Sequence, residues 1–161
     1  MSEYVEAGDQ ESVLLLGLIM REAANVELRL RVIAANLLDS PHAELITGGL
    51  SVGDLRQHCK ALAEASPLVN PTKEAELKGL LQQATDAFQR RNHYAHGVWA
   101  IDIVTMERSA LLSRRWRDVL IPAPVTEQEL RALRLDLASL NHDLASSLLS
   151  VVKTVKAPRS A

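Results

Sequence analysis

The run Arg90-Arg91-Asn92-His93-Tyr94-Ala95-His96-Gly97 places two guanidiniums, an amide and two imidazoles at the end of a leucine- and alanine-rich stretch. Imidazole titrates near neutrality, so it can both take and give a proton. A guanidinium fork matches the oxygens of a phosphate bidentately. These residue types suit proton transfer beside a phosphoryl group, where preorganised positive charge can be worth several kcal/mol of barrier. Helix physics offers a plainer account. Basic side chains in a last turn interact favourably with the helix dipole, and Gly97 suits a left-handed cap. That account covers Arg90, His93, His96 and Gly97. It leaves Asn92, a weak helix former, and Arg91 unexplained.

The elements that must position this run are mostly helical. From about Glu11 to Leu38 there is no proline, and Leu16, Met20, Ala23, Leu30, Ala34 and Leu38 recur at helical spacing before Ser40-Pro41 ends the pattern. Thr47-Gly48-Gly49 is a turn, and Ser51-Val-Gly-Asp54 caps a second helix to about Ala65. Asn70-Pro71 opens a third, with Leu77, Leu80, Leu81, Ala84 and Phe88 on its inner face, and this helix carries the run. Past Gly97 the spacing turns to alternation at Trp99, Ile101 and Ile103. A second extended run from about Leu112 to Ile121 makes a small hairpin, and Pro122-Ala-Pro124 breaks the chain. Thr126-Glu-Gln-Glu129 is a capping box for a last helix, with Leu130, Leu133, Leu137, Leu140, Leu144, Leu148, Val151 and Val155 in a stripe. The expected fold is mainly α: a four-to-five-helix bundle with a small β-hairpin after the third long helix. It forms one domain over residues 1–161, with a core of about 11–155 and short flexible termini, the last from Lys156 to Ala161.

Composition agrees with this layout. Aromatics are only 3% of 161 residues, so the core is built from Leu, Ala, Val and Ile, a mix that favours helices. The formal charge of −2 gives no global pull toward nucleic acid or membrane. Cys59 is the single cysteine, which excludes an internal disulfide and a cysteine-based zinc site. The N-terminal stretch is acidic where a signal peptide would be basic, and the apolar run from Val13 to Met20 is far short of the ~20 residues of a membrane helix. A cytoplasmic protein without membrane contact is the expectation.

Two charged residues sit at odds with the apolar pattern. At about 100° per residue, Arg91 falls on the inner face marked by Leu77, Ala84 and Phe88, and Glu27 falls on the stripe of the first helix. A buried charge without a partner is costly. Either Glu27 and Arg91 form an ion pair or polar pocket, or both reach the bundle edge along their aliphatic stems.

Arg91-Asn92-x-x-x-His96 resembles the R-x(4–6)-H signature of the HEPN domain superfamily, in the form where Asn directly follows the Arg. The resemblance extends to a helical bundle over about residues 11–155 and to the motif's place at the end of an inner helix. It implies a metal-independent endoribonuclease without cofactor, in which two copies of the motif meet across a homodimer. In that scheme His96 serves the ribose 2′-OH and the leaving 5′-oxygen, Arg91 holds the scissile phosphate, and Asn92 orients His96 or the phosphate. Arg90, His93, Tyr94 and Glu27 are expected as substrate-binding or supporting residues. Asn92 and His96, four apart, stack on one helix face, whereas Arg91 and His96 are about 140° apart. A composite site relaxes that separation, because Arg from one chain can serve His from the other. The setting implied is defence or toxin–antitoxin. Six arginines (Arg90, Arg91, Arg108, Arg114, Arg115, Arg117) against Asp102 and Glu107, with Trp99 and Trp116, form a local basic stretch that suits RNA. The same stretch also reads as an ordinary solvated face.

Two rival readings stand beside this one. His93-x-x-His96 with His142 or Glu27 could ligate a metal, although His142 lies between Asn141 and Asp143 on an outer face. Alternatively, the chain is a noncatalytic HEPN interaction module that pairs with a nucleotidyltransferase-type antitoxin, with Tyr94 as a modification target.

Overall fold

The computed structural model describes residues 3–67, 69–101, 108–113 and 120–155. Among these residues five helices and three strands follow in order: α1 (Glu3–Leu38), α2 (Ala43–Thr47), α3 (Val52–Ala65), α4 (Pro71–His96), β1 (Val98–Ile101), β2 (Arg108–Ser113), β3 (Leu120–Pro124) and α5 (Glu127–Val155). The fold is mainly helical, and among the described residues no helix is long and apolar enough to cross a membrane. Asp102, Glu107, Arg114, Arg115, Trp116, Arg117 and Lys156–Ala161 lie outside the described residues, as do the side chains of Leu148, Val151 and Val155.

Caps decide where the helices begin. Ser51 Oγ accepts from the Asp54 amide at 3.2 Å, Asn70 Oδ1 from Lys73 at 2.9 Å, and Thr126 Oγ1 from Glu129 at 3.1 Å. Each satisfies an amide that has no partner inside its own helix. The end of α1 falls at Asp39, which takes φ 45°, a left-handed conformation that a short polar side chain tolerates. α2 is an addition to the expected elements. Its five residues are too few for a periodic signal, and it holds together through the buried Thr47, whose hydroxyl donates to the Ala43 carbonyl at 2.9 Å.

The chain forms two compact units, Met1–Ala23 with Asp86–Ala138, and Ala24–Thr85 with Ser139–Ala161. In the first, Leu15, Ile19, Phe88, Tyr94, Val125, Leu130, Leu133 and Leu137 are buried. Arg131 pairs with Glu11 there, joining α5 to α1. In the second, Val26, Leu30, Ile33, Leu55, Cys59, Leu77, Leu81, Leu140 and Leu144 form the core. Arg29 Nε donates to Asn141 Oδ1 at 3.1 Å, and the Cys59 thiol donates to the Leu30 carbonyl at 3.3 Å. Each fully buried leucine contributes roughly 1.5–3 kcal/mol relative to exposure, so these rows dominate stability.

The strands form a three-stranded antiparallel sheet, β1-β2-β3, rather than the expected hairpin. Pro122 and Pro124 do not break the chain; they pair with Leu111 and Ser109 in β3, an edge strand. The Val125 amide donates to the Arg108 carbonyl at 2.9 Å, so residues of opposite parity turn their backbone nitrogens away from β2. Both prolines have that parity, and an edge strand tolerates the missing donors there.

The inner stripe of α1 is partly as expected, with Ala23, Leu30 and Ala34 buried, and partly shifted. Leu15, Ile19, Val26, Leu30, Ile33 and Leu37 are buried, whereas Met20 is exposed. Glu27 is half-buried and pairs with Arg31 one turn on, Oε1 to Nη2 at 2.8 Å. The turns of α1 from Val13 to Met20 are apolar on nearly every side, so two adjacent stripes read equally well in the sequence. Packing chose the one through Val26. Among the described residues of α1 the buried carboxylate is Glu22, bonded to Arg21 Nη2 at 2.7 Å.

Candidate functional site

α4 carries the run, and its buried face explains how. Leu77, Leu80, Leu81, Ala84, Ala87, Phe88 and Tyr94 are buried at helical spacing. Arg91 continues this face one turn after Phe88 and is half-buried, with its guanidinium 5.1 Å from the centroid of the Phe88 ring. A cation over an aromatic face gains about 0.5–2 kcal/mol, and the plane of the ring orients the fork. The geometry therefore holds Arg91 on the flank of the helix.

Asn92 and His96 lie on the opposite side of that flank. Both are exposed, one turn apart on the solvent face of the last turn of α4. His93 Nδ1 lies 3.0 Å from the Gln89 carbonyl, a contact along its own helix. The Gly97 amide donates to the His93 carbonyl at 2.9 Å, which closes the helix in ordinary α geometry. No glycine in the described residues takes a positive φ, so the expected left-handed cap at Gly97 is absent. The chain passes straight into β1 one residue later, and a left-handed turn would redirect it.

The flanking residues are held by their neighbours. Arg90 Nη1 is 2.6 Å from Asp136 and Nη2 is 3.9 Å from Glu129, two carboxylates of α5. Its charge is matched locally and serves to tie α4 to α5. Tyr94 is buried at 4% exposure, and its carbonyl accepts from Trp99 Nε1 at 2.9 Å, which joins β1 to the motif turn. Burial raises the Tyr94 phenol above its ordinary value; Glu129 raises it further and Arg90 opposes. Glu27 belongs to the Arg31 pair.

What the arrangement can do follows from these placements. The exposed imidazole of His96 can exchange protons with a solvent-borne substrate, and the amide of Asn92 can donate to the same ligand. Arg91 presents fixed positive charge beside them. Arg90, His93 and Tyr94 position the turn. Among the described residues no group of three His, Cys, Asp or Glu side chains is placed to hold a metal ion. Sequence reading did not find Asp136 and Glu129 as partners of Arg90, because a contact between residues 46 apart leaves no local pattern. No protein-family model matches the chain, and no curated protein or solved structure does either.

Proposed function

We propose that this protein is a metal-independent endoribonuclease of the HEPN type, acting as a cytoplasmic homodimer in a defence or toxin–antitoxin setting. The observation that carries the reading is the division of labour at the end of α4. Asn92 and His96 share the solvent face, while Arg91 is fixed on the flank by Phe88. In this scheme the His96 imidazole takes the proton of a ribose 2′-OH, and the 2′-oxygen attacks the adjacent phosphorus. The bond from phosphorus to the 5′-oxygen breaks, and that oxygen takes a proton from the imidazolium of a second copy. The products are a 2′,3′-cyclic phosphate and a free 5′-hydroxyl. Arg91 neutralises charge growing on the non-bridging oxygens, and Asn92 holds the phosphate or His96 in register.

The test is cleavage of a broad RNA panel by the purified protein in EDTA, beside His96→Ala and Arg91→Ala. Expected are cyclic-phosphate ends from the wild type and a loss of at least about a hundredfold in either variant, the scale of a general acid or base for His96 and of a charge-stabilising donor for Arg91. Activity that EDTA abolishes, or that survives both substitutions, refutes the scheme. An intact panel moves the reading to the interaction module, with a nucleotidyltransferase-type partner to be sought in pull-downs.

A further inference from the structure

α3 and the first half of α4 face each other across a groove of about 450 Å³, lined by Arg56, Gln57, Lys60, Lys78, Gln82 and Thr85 over Leu81. Its two walls are chemically alike. α3 presents Arg56 and Lys60 one turn apart; α4 presents Lys78 and Gln82 one turn apart, and Thr85. No carboxylate lines the groove itself. Lys78 is answered at one end by Glu64 at 2.9 Å and Glu74 at 2.7 Å. Arg56 and Lys60 make no ion pair with a described residue, Lys60 acting on Glu64 only at longer range, and Arg56 is half-buried. Like charges held in a concave site favour an anion from outside.

We propose that the α3–α4 groove binds the sugar-phosphate backbone of single-stranded RNA without regard to sequence, with Arg56 and Lys60 as the phosphate contacts. A preference for a polyanion follows from the groove alone; RNA as that polyanion rests on the ribonuclease reading. Arg56 and Lys60 are separated by ~6 Å of helix rise, comparable to the step between successive phosphates of a single strand. Gln57 and Gln82 add neutral donors beside the two cations. No aromatic side chain lines the groove, so bases have nothing to stack on and only the backbone is read. An acidic peptide offers single carboxylates at variable spacing and matches the regular pair less well.

The experiment is anisotropy of a labelled 2′-O-methyl oligonucleotide, in which the blocked 2′-oxygen prevents cleavage. It compares wild type, Arg56→Gln/Lys60→Gln, and the control pair Lys73→Gln/Arg134→Gln, which removes the same charge elsewhere; circular dichroism verifies folding. The groove pair should weaken binding about tenfold and lower the slope of log K against log salt by about 1.4, at ~0.7 per lost contact to a single strand. The control pair should leave both near wild type. Equal losses in the two pairs, no binding by the wild type, or tighter binding of poly-glutamate than of the oligonucleotide would overturn the proposal. Its failure is separable from that of the ribonuclease reading. Groove-dependent binding without cleavage of unblocked RNA sinks only the latter, and cleavage with binding indifferent to Arg56 and Lys60 sinks only the former.

Discussion

Cys59 should make the protein lose stability in alkali, and the size of the loss can be worked out. The thiol is fully buried, and burial pushes its pKa from an ordinary 9.0 up to about 12, with backbone hydrogen bonds at Ala34 and Cys59 opposing. The S–H also donates to the Leu30 carbonyl, a bond that exists only in the protonated form. A folded pKa above the unfolded one means that the stabilisation is whole below about pH 9 and is lost as pH rises toward 12. Across that window the unfolded chain has released a proton that the native chain keeps, so stability falls by ~1.4 kcal/mol per pH unit on this account. At about pH 10.5 the accumulated loss is ~2 kcal/mol. Other groups titrate there too, Tyr94 among them, so the comparison is with Cys59→Ala. That variant starts lower by about 1–2 kcal/mol, for lost packing and the lost bond, but should lack the Cys59 slope. Urea unfolding from about pH 8 to 11 reads both curves. Wild type and variant should converge as pH rises and meet at about pH 10–10.5, where the accumulated loss equals the initial gap. Parallel curves would show that the site is wet or mobile enough to hold a thiolate, and would refute the burial argument.

Two further predictions test the packing that supports the motif. Val26 is fully buried and Glu27 pairs on the surface of the same helix, so Val26→Ala should cost about 2 kcal/mol while Glu27→Ala costs less than about 1, by urea unfolding. The reverse order would restore the stripe through Glu27. Thr126 caps α5 through the Glu129 amide, so Thr126→Ala should cost about 1 kcal/mol in the same assay, and Thr126→Ser should recover most of it. No loss in Thr126→Ala would mean that packing alone sets the start of α5.

Legibility differed from element to element for physical reasons. The starts of α3, α4 and α5 were readable because a cap is a local event: a side chain bonds an amide three residues on, and both ends of that bond are adjacent in the sequence. The face of α4 was readable too, since its apolar positions are flanked by charges. α1 was readable only in part, at Ala23, Leu30 and Ala34; Val13, Leu14, Leu15 and Leu16 supply apolar side chains in every direction, so two neighbouring stripes compete there and only the packed core separates them. β3 was missed because its prolines signal a break, and their acceptability depends on β3 being the outermost strand. That is a fact of sheet order, not of local composition.

The motif divides along the same line. The sequence by itself determined that a helix ends at His96, that Asn92 and His96 stand one turn apart, and that Arg91 lies off their face, since helical periodicity alone dictates these relations. Only the tertiary structure decided which charges around the motif are already answered. Asp136 and Glu129 hold Arg90, Phe88 carries Arg91, and Arg31 takes Glu27. It likewise brought Arg56 and Lys60 opposite Lys78. The physical reason is that local geometry is set by bonds between near neighbours in the chain, whereas the partner of a charge is set by whichever element packs against it.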